Sequence, residues 1–413
     1  MPSRLRASRN ACGKTAIATE NRQCWIFVTT SSAAAWGELA AFKRHLVKAE
    51  QVIFATRFRI GPQPFWHVGC PLKRECSQGE GLMGEATSGK VTKRRATTQN
   101  SRGAQSQLDQ EPLGVAPTSV QSVEADGVHV FYRAAGDPSA PVVLLLHGFP
   151  ASSFMFRELI PRLANDYRVI APDLPGFGFT QIPADRNYVY SFDQLALTTE
   201  AFTKALKIDR YAIYVFDYGA PTGFRLAMAH PERVTAIVTQ NGNAYEEGLG
   251  DAWGPIRQYW ASPTAENRDA LRKNILTLEG TRWQYTHGVA NPESVPPESY
   301  TLDTALLERA GNKEIQLDLF LDYASNVKLY PKFQDYFRKS RPPLLAIWGK
   351  NDPFFIPAGA EAFRKDIPGA KIQFLDTGHF ALETHVVEIA SAMKEFFGTN
   401  GIGRRRGEST VPG

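Results

Sequence analysis

The sequence predicts a protein of the α/β class, with a mostly parallel sheet flanked by helices and a helical cap inserted into it. Apolar runs of strand length recur between residues 119 and 398 and alternate with segments of helical character, as in sheets buried on both faces. Several of these runs end in short loops that combine glycine with a polar residue. Between residues 244 and 341 the alternation gives way to helix-like segments rich in aromatic residues, which predicts a cap over one edge of the sheet.

Six strands are predicted from the apolar runs, because each run is followed by residues typical of turns. They are Val142 to Leu146, a strand beginning at Arg168, Arg210 to Phe216, Val234 to Gln240, Pro343 to Gly349 and Lys371 to Leu375. Within the cap, helix-like segments run over Trp253 to Trp260, Asp269 to Leu278 and Glu314 to Tyr323.

A sharp strand-to-helix turn is predicted at Asp217. The strand before it ends at Phe216, and Ala220 to His230 has the character of a helix, so the aspartate side chain would stand at the top of the sheet. Gly219 suits the crowded start of the helix because it has no Cβ atom. A carboxylate held in this way can attack an electrophilic carbon and form a covalent ester. The alternative is an aspartate that only caps the next helix.

Two downstream residues favour the catalytic interpretation. Asp352 follows the predicted strand that ends at Gly349, and His379 lies in the loop after Lys371 to Leu375. Because the carboxyl ends of parallel strands meet at one edge of a sheet, we expect both side chains to lie near Asp217. The chain order of nucleophile, acid and histidine is that of catalytic triads on sheets of this type.

Five motifs together resemble the α/β-hydrolase superfamily, in particular the branch that contains epoxide hydrolases and haloalkane dehalogenases. The resemblance covers residues 120 to 398, and the order and spacing of five short motifs make it specific. The motifs are His147-Gly148-Phe149-Pro150, Asp173-Leu174-Pro175-Gly176-Phe177-Gly178, the turn at Asp217, Gly349-Lys350-Asn351-Asp352 and Gly378-His379-Phe380.

The resemblance implies an α/β-hydrolase fold and a hydrolase that acts on a small apolar organic substrate without a metal or other cofactor. Asp217 would attack carbon, His379 would activate the water that hydrolyses the ester, and Asp352 would orient the imidazole and stabilise its charge. The backbone N–H groups of Phe149 and Tyr218 would form the oxyanion hole. Histidine suits the role of base because its pKa lies near neutrality.

The leaving group depends on positions where the sequence departs from the family patterns. Haloalkane dehalogenases typically hold the halide with a Trp directly after the nucleophile, where this chain has Tyr218, and with an Asn where it has Phe149. Epoxide hydrolases commonly carry the His-Gly-Phe-Pro motif and need cap tyrosines to protonate the epoxide oxygen. The family position of one such tyrosine falls on Ala324, so Tyr323 is expected to substitute, with Tyr285 as a second phenol.

Three hypotheses of function stay open at this point. An epoxide hydrolase is the first expectation. A haloalkane or haloacid dehalogenase is the second, and Trp253, Trp260 and Trp283 are its candidate halide donors in the cap. A non-catalytic ligand-binding protein on a hydrolase scaffold is the third, but such a protein does not need an intact set of two aspartates and a histidine.

The first segment of the chain differs in composition from the rest. Up to residue 110 it has 17 Lys and Arg against 7 Asp and Glu, while the whole chain of 413 residues has a net charge of +5. It also holds all four cysteines, whose spacing fits no zinc motif. The predicted segments are a basic, largely disordered extension (1–118), the first part of the core (119–243), the helical cap (244–341), the second part of the core (342–398) and a flexible tail (399–413).

The sequence predicts no large partner beyond the small substrate. The basic residues of the extension lack the aromatic or glycine pattern of a nucleic-acid tail, and no apolar stretch approaches the roughly 18 residues of a membrane helix. We expect a cytoplasmic protein. The alternative is an organelle, if residues 1–19, which contain Arg, Lys and Ser but no acids, act as a transit peptide. The sequence does not indicate an oligomeric state.

Overall fold

The computed structural model describes residues 117 to 403 and, nearer the N-terminus, the backbone of three short strands. These are β1 (Leu5–Arg9), β2 (Thr15–Thr19) and β3 (Ile26–Val28), which pair antiparallel in the order β1-β2-β3. Apart from these strands and residues 117 and 118, the extension predicted for residues 1 to 118 lies outside the described residues, so its disorder and its transit peptide stay predictions. The same holds for the tail beyond residue 403.

An eight-stranded sheet forms the centre of the larger unit. Its strands are β4 (Ser119–Ala125), β5 (Val128–Ala135), β6 (Val142–Leu146), β7 (Arg168–Pro172), β8 (Tyr211–Phe216), β9 (Val234–Gln240), β10 (Leu344–Gly349) and β11 (Lys371–Leu375). Their order is β4-β5-β7-β6-β8-β9-β10-β11. Strand β5 runs antiparallel to both of its neighbours, and the other neighbouring pairs are parallel. The mostly parallel sheet predicted from the sequence is therefore confirmed.

Ten α-helices follow in chain order within residues 117 to 403. They are α1 (Leu159–Leu163), α2 (Phe192–Ala205), α3 (Gly219–Ala229), α4 (Gly254–Ala261), α5 (Ala265–Asn274), α6 (Leu278–Thr286), α7 (Pro297–Leu307), α8 (Asn312–Ser340), α9 (Pro357–Asp366) and α10 (Leu382–Thr399). Helices α4 to α8 all lie between β9 and β10 along the chain and form the predicted helical insertion.

The longest cap helix extends far beyond its predicted segment. We expected helical character over Glu314 to Tyr323, whereas α8 contains 29 residues and continues through Pro331. Its second half buries Tyr330 and Phe333 completely. Packing of these rings stabilises the helix beyond the proline, although a proline inside a helix removes one backbone hydrogen bond.

Side-chain alternation along the central strands divides the apolar core into two layers. Leu144 of β6 and Ile213 of β8 belong to one buried cluster, and their sequence neighbours Val143 and Tyr214 belong to the other. All four residues are fully buried, as expected for strands covered on both faces. The first layer continues into the cap, so cap and sheet share a core. Among residues 117 to 403 no helix is both long enough and apolar enough for a membrane span.

Candidate active site

Asp217 occupies the sharp turn between β8 and α3. Its φ angle is +47°, in the left-handed region that a non-glycine residue rarely adopts. Two glycines permit the close approach of neighbouring segments here. A Cβ atom on Gly148 would collide with the Asp217 side chain, and one on Gly219 would collide with the carbonyl oxygen of Leu146. The strand-to-helix turn predicted at this position is thus present.

Two backbone N–H groups converge on the Asp217 carboxylate. The amide nitrogen of Phe149 donates to Oδ1 at 2.6 Å, and the amide of Tyr218 also donates to the carboxylate. These are the two donors that the sequence assigned to an oxyanion hole. They lie beside the carboxylate because β6, which precedes Phe149, pairs directly with β8.

Asp352 and His379 reach the same edge of the sheet from β10 and β11. The His379 Nδ1 atom lies 2.7 Å from Asp352 Oδ2, and its Nε2 atom lies 4.0 Å from Asp217 Oδ2. The side chains of all three residues are nearly or completely buried. The structure therefore brings together the three side chains that the sequence predicted as a triad.

In both Asp217 and His379, burial and the neighbouring charges shift the pKa in opposite directions. Burial raises the pKa of Asp217 to about 6, although His379 and the two backbone N–H groups favour its charged form. Burial lowers the pKa of His379, but the carboxylates of Asp352 and Asp217 outweigh this effect, so its pKa lies above the ordinary value. Two adjacent buried groups whose pKa values are shifted by burial and by neighbouring charges are typical of functional sites.

A pair of buried amides at the end of β9 supports Asp352 and His379, and our sequence analysis missed it. Asn241 donates from Nδ2 to Asp352 Oδ2 at 2.7 Å, and Gln240 donates from Nε2 to the His379 carbonyl oxygen at 2.9 Å. The amide nitrogen of Phe354 donates to the other oxygen of Asp352 at 2.7 Å. A cluster of polar residues directly after a buried strand was the sequence signal that could have revealed the pair.

A narrow cavity adjoins Asp217 and His379 under the cap. The space between its lining atoms is about 320 Å³, but only about 20 Å³ of this space can take the centre of a water molecule. The lining is mostly aromatic and aliphatic, as in sites for small apolar ligands. It consists of Phe149, Asp217, Tyr218, Trp253, Ile256, Ile275, Gln284, Phe320, Phe354 and His379.

The two cap tyrosines named from the sequence differ in position. Tyr285 donates its hydroxyl to Asp303 Oδ2 at 2.5 Å and does not line the cavity. The Tyr323 hydroxyl lies 3.4 Å from that of Tyr330. Tyr323 does not line the cavity either, but its ring packs 5.7 Å from the ring of Tyr218, which does.

The three cap tryptophans also differ in how far their N–H groups are available. Trp260 donates from Nε1 to the Phe320 carbonyl oxygen at 2.7 Å, and Trp283 is 43% exposed. Trp253 lines the cavity and is buried, and its Nε1 atom has no hydrogen-bond partner. Trp253 is therefore the cap tryptophan with an unused donor next to the cavity.

Comparison with known proteins agrees with this fold. Residues 141 to 386 match the family model described as alpha/beta hydrolase fold, and this match spans more than half of the chain. The chain belongs to the α/β-hydrolase family and is an enzyme of the hydrolase class.

Two proteins and one solved structure illustrate which members of this family the chain is similar to. It is 53% identical over 280 residues to an uncharacterized hydrolase of Saccharomyces cerevisiae, covering 67% of this chain and 95% of the yeast protein. It is 25% identical over 291 residues to a haloalkane dehalogenase of Psychrobacter cryohalolentis, covering 68% of this chain and 91% of the relative. An epoxide hydrolase structure matches with a TM-score of 0.58 at 18% identity, over 68% of this chain and 99% of that one, a likeness of fold.

Proposed function

We propose that the enzyme hydrolyses a small apolar electrophile in two steps, through a covalent alkyl ester on Asp217. The observation that carries this proposal is the position of the Asp217 carboxylate between two backbone N–H donors and the His379 imidazole. A carboxylate at this position can attack carbon, and the imidazole can then activate water against the resulting ester.

In the first step, one Asp217 oxygen forms a bond to substrate carbon while the bond from that carbon to the leaving group breaks. The leaving group departs with the electron pair. The apolar lining of the cavity supports this step, because exclusion of water strengthens the electrostatic interactions inside. Asp217 must be ionised to react, and its pKa of about 6 leaves it ionised at neutral pH.

In the second step, His379 accepts a proton from water, and the oxygen of that water attacks the Asp217 carboxyl carbon. The negative charge that develops on the carboxyl oxygen meets the N–H groups of Phe149 and Tyr218. Asp352 fixes the imidazole through Nδ1, so that Nε2 points towards the ester. Collapse of the intermediate breaks the bond to the alkyl oxygen, which takes the proton from His379 and leaves as an alcohol.

An epoxide is the first substrate class that we propose. Opening an epoxide ring produces an alkoxide that needs a proton. The buried hydroxyl of Tyr323, which lies 3.4 Å from that of Tyr330, is the cap phenol that we propose as the donor of this proton. The Tyr323 ring lies beside two rings of the cavity wall, 4.4 Å from that of Trp253 and 5.7 Å from that of Tyr218.

A haloalkane is the second candidate, and the unpartnered Trp253 N–H favours it. A departing halide needs N–H or O–H donors but no proton, and the Trp253 Nε1 atom is a buried donor without a partner. The similarity to a haloalkane dehalogenase of Psychrobacter cryohalolentis supports keeping this candidate.

Two measurements test the proposal. The protein is incubated with 1,2-epoxybutane and with 1-bromobutane, and diol formation is compared with bromide release. A single turnover in water enriched in ¹⁸O then locates the label. We expect it on the Asp217 carboxylate, because water attacks the carboxyl carbon of the ester. Label found only in the product would mean direct attack by water and would contradict the covalent step.

A variant separates the two steps. His379→Gln should form the ester but fail to hydrolyse it, so the intact mass should rise by that of the added alkyl group. Asp217→Asn is the matched control, since it keeps the shape of the side chain but should form no ester. An unmodified and inactive His379→Gln protein would count against this division of roles.

A further inference from the structure

A cap tyrosine stacks directly on the residue that follows His379. The rings of Tyr285 in α6 and Phe380 lie nearly parallel, with centroids 3.7 Å apart and an angle of 8° between the ring planes. Both residues are buried, and Tyr285 does not line the cavity. Its hydroxyl is also directed elsewhere, because it donates to Asp303 of α7. Tyr285 therefore does not contact a substrate from its present position.

Phe380 in turn forms part of the surroundings of the imidazole. Its ring lies 5.1 Å from the His379 ring and 5.1 Å from the ring of Phe216. Phe216 itself lies 4.6 Å from His379. A displacement of Phe380 would thus move the backbone that carries His379 and one of the rings that limit how the imidazole can turn.

Polar contacts hold the cap to the core at the same place. Ser299 of α7 donates to Glu383 Oε2 at 3.0 Å, and Arg157 binds both oxygens of Glu383 at 3.0 and 2.6 Å. Glu383 stands in the first turn of α10, just after the loop that carries His379. The Tyr285 stack and the Ser299 contact therefore approach this loop from neighbouring cap helices.

We propose that Tyr285 is a positioning residue for His379: through its stack on Phe380, the cap holds the imidazole in the orientation that ester hydrolysis requires. This inference rests on the proposed two-step mechanism. Ester formation depends on the Asp217 carboxylate, whereas ester hydrolysis depends on where His379 Nε2 points. Loss of the stack should slow the second step selectively.

The test uses the full-length protein and compares three variants. Tyr285→Leu removes the aromatic ring, and Tyr285→Phe keeps the ring but removes the hydroxyl. Tyr259→Leu is the matched control, because Tyr259 is also a buried cap tyrosine, and its hydroxyl accepts from Arg268 rather than contacting the His379 loop. Each protein is mixed with whichever of 1,2-epoxybutane and 1-bromobutane the unmodified enzyme turns over. Intact mass then follows the rise and decay of the ester.

We expect Tyr285→Leu to slow ester decay by about 10- to 100-fold, the effect of misplacing a catalytic group by about 1 Å, while ester formation stays within about 2-fold. Tyr285→Phe should restore decay to within about 3-fold of the unmodified enzyme, because the ring is retained. Tyr259→Leu should leave the ratio of the two rates unchanged.

Three other results would overturn the inference. An equal loss of both rates in Tyr285→Leu, or the same change of ratio in Tyr259→Leu, would indicate a general structural effect. Slow ester decay in Tyr285→Phe would show that the effect depends on the Tyr285 hydroxyl and not on the stacking of its ring. Absence of any ester in His379→Gln would overturn the proposed mechanism itself, and is distinguishable from a failure of the positioning role alone.

Discussion

Asn241 donates a hydrogen bond at 2.7 Å to Oδ2 of Asp352, the same oxygen that accepts from His379 Nδ1. Its own Oδ1 atom accepts from the amide nitrogen of Gly349 at 2.8 Å, which ties the end of β9 to the end of β10. The orientation of Asp352 therefore depends on a residue of the neighbouring strand.

Asn241→Gly should impair ester hydrolysis more than ester formation. Asn241 has a φ angle of +46°, which glycine adopts without strain, so this variant removes the side chain but keeps the backbone conformation. Loss of a hydrogen bond to a buried carboxylate costs about 1–3 kcal/mol, and we expect stability to fall by that amount. Ester decay should slow by about 10-fold. Asn243→Ala removes hydrogen bonds to the Tyr245 backbone and to the Tyr330 hydroxyl but none to Asp352 or His379, so it should lower stability without a selective effect on decay.

The two steps should respond differently to pH. Ester formation needs an ionised Asp217, so its rate should fall as the pH drops through about 6. Ester hydrolysis needs a neutral His379, whose pKa is raised in part by the charge of Asp217. The ester no longer carries that charge, so hydrolysis should persist to a lower pH than the titration of His379 in the free enzyme would predict. Rapid-quench rates between about pH 5 and about pH 9 check this, and identical profiles for both steps would contradict it.

Asp217 should also make the protein less stable at neutral pH than at acid pH. Its folded-state pKa of about 6 lies above the reference value of 3.8, so its contribution is fully present below pH 3.8 and is lost as the pH rises through about 6. Asp217→Asn should therefore be more stable than the unmodified protein at about pH 8, by up to about 3 kcal/mol, with little difference at about pH 4. Urea unfolding at both pH values measures the two differences. A constant difference would show that the charge of Asp217 is not responsible.

Two substitutions should distinguish the leaving groups. If an epoxide is the substrate, Tyr323→Phe should lower turnover by the ~10² to 10⁴ expected of one general acid. If a haloalkane is the substrate, Trp253→Phe should lower halide release by roughly 10² or more. Trp260→Phe is the control, because the Trp260 N–H is already bound to the Phe320 carbonyl oxygen. Full epoxide activity in Tyr323→Phe would remove this phenol from the mechanism.

A chain that begins at Pro117 should fold and work as the full chain does. Strand β4 begins at Ser119. The alignment with the yeast relative covers only 67% of this chain, although it covers 95% of the yeast protein. We expect the same activity and a melting temperature within about 2 °C, equivalent to about 1 kcal/mol. Insolubility or loss of cooperative unfolding would show that the preceding residues stabilise the hydrolase unit.

The sheet and the three reactive side chains could be predicted because each depends on a local pattern. Strands β6, β9 and β11 have the predicted bounds, since an apolar run bounded by turn residues marks both ends of a strand. Asp217 and His379 follow from the loops after two such strands. These patterns need no knowledge of which strands are neighbours.

Features that depend on tertiary neighbours were missed or underestimated. Asn241 gains its role only because β9 and β10 are adjacent, and the sequence does not state that adjacency. The length of α8 beyond Tyr323 depends on the burial of Phe333 and Phe337 against the core. Tyr285 was proposed as a second phenol after Tyr323, but its hydroxyl is bound to Asp303, a partner 18 residues further along the chain.

The size of the cavity beside Asp217 implies that turnover depends on motion of the protein. Only about 20 Å³ of that space can take the centre of a water molecule, so a substrate of several carbon atoms cannot enter while the cap helices keep this packing. Entry, and departure of the alcohol, then require the side chains that line this space to move apart. If these events limit turnover, raising the solvent viscosity with glycerol should slow the turnover of every substrate by the same factor. This factor should not depend on the strength of the bond between the substrate carbon and the leaving group.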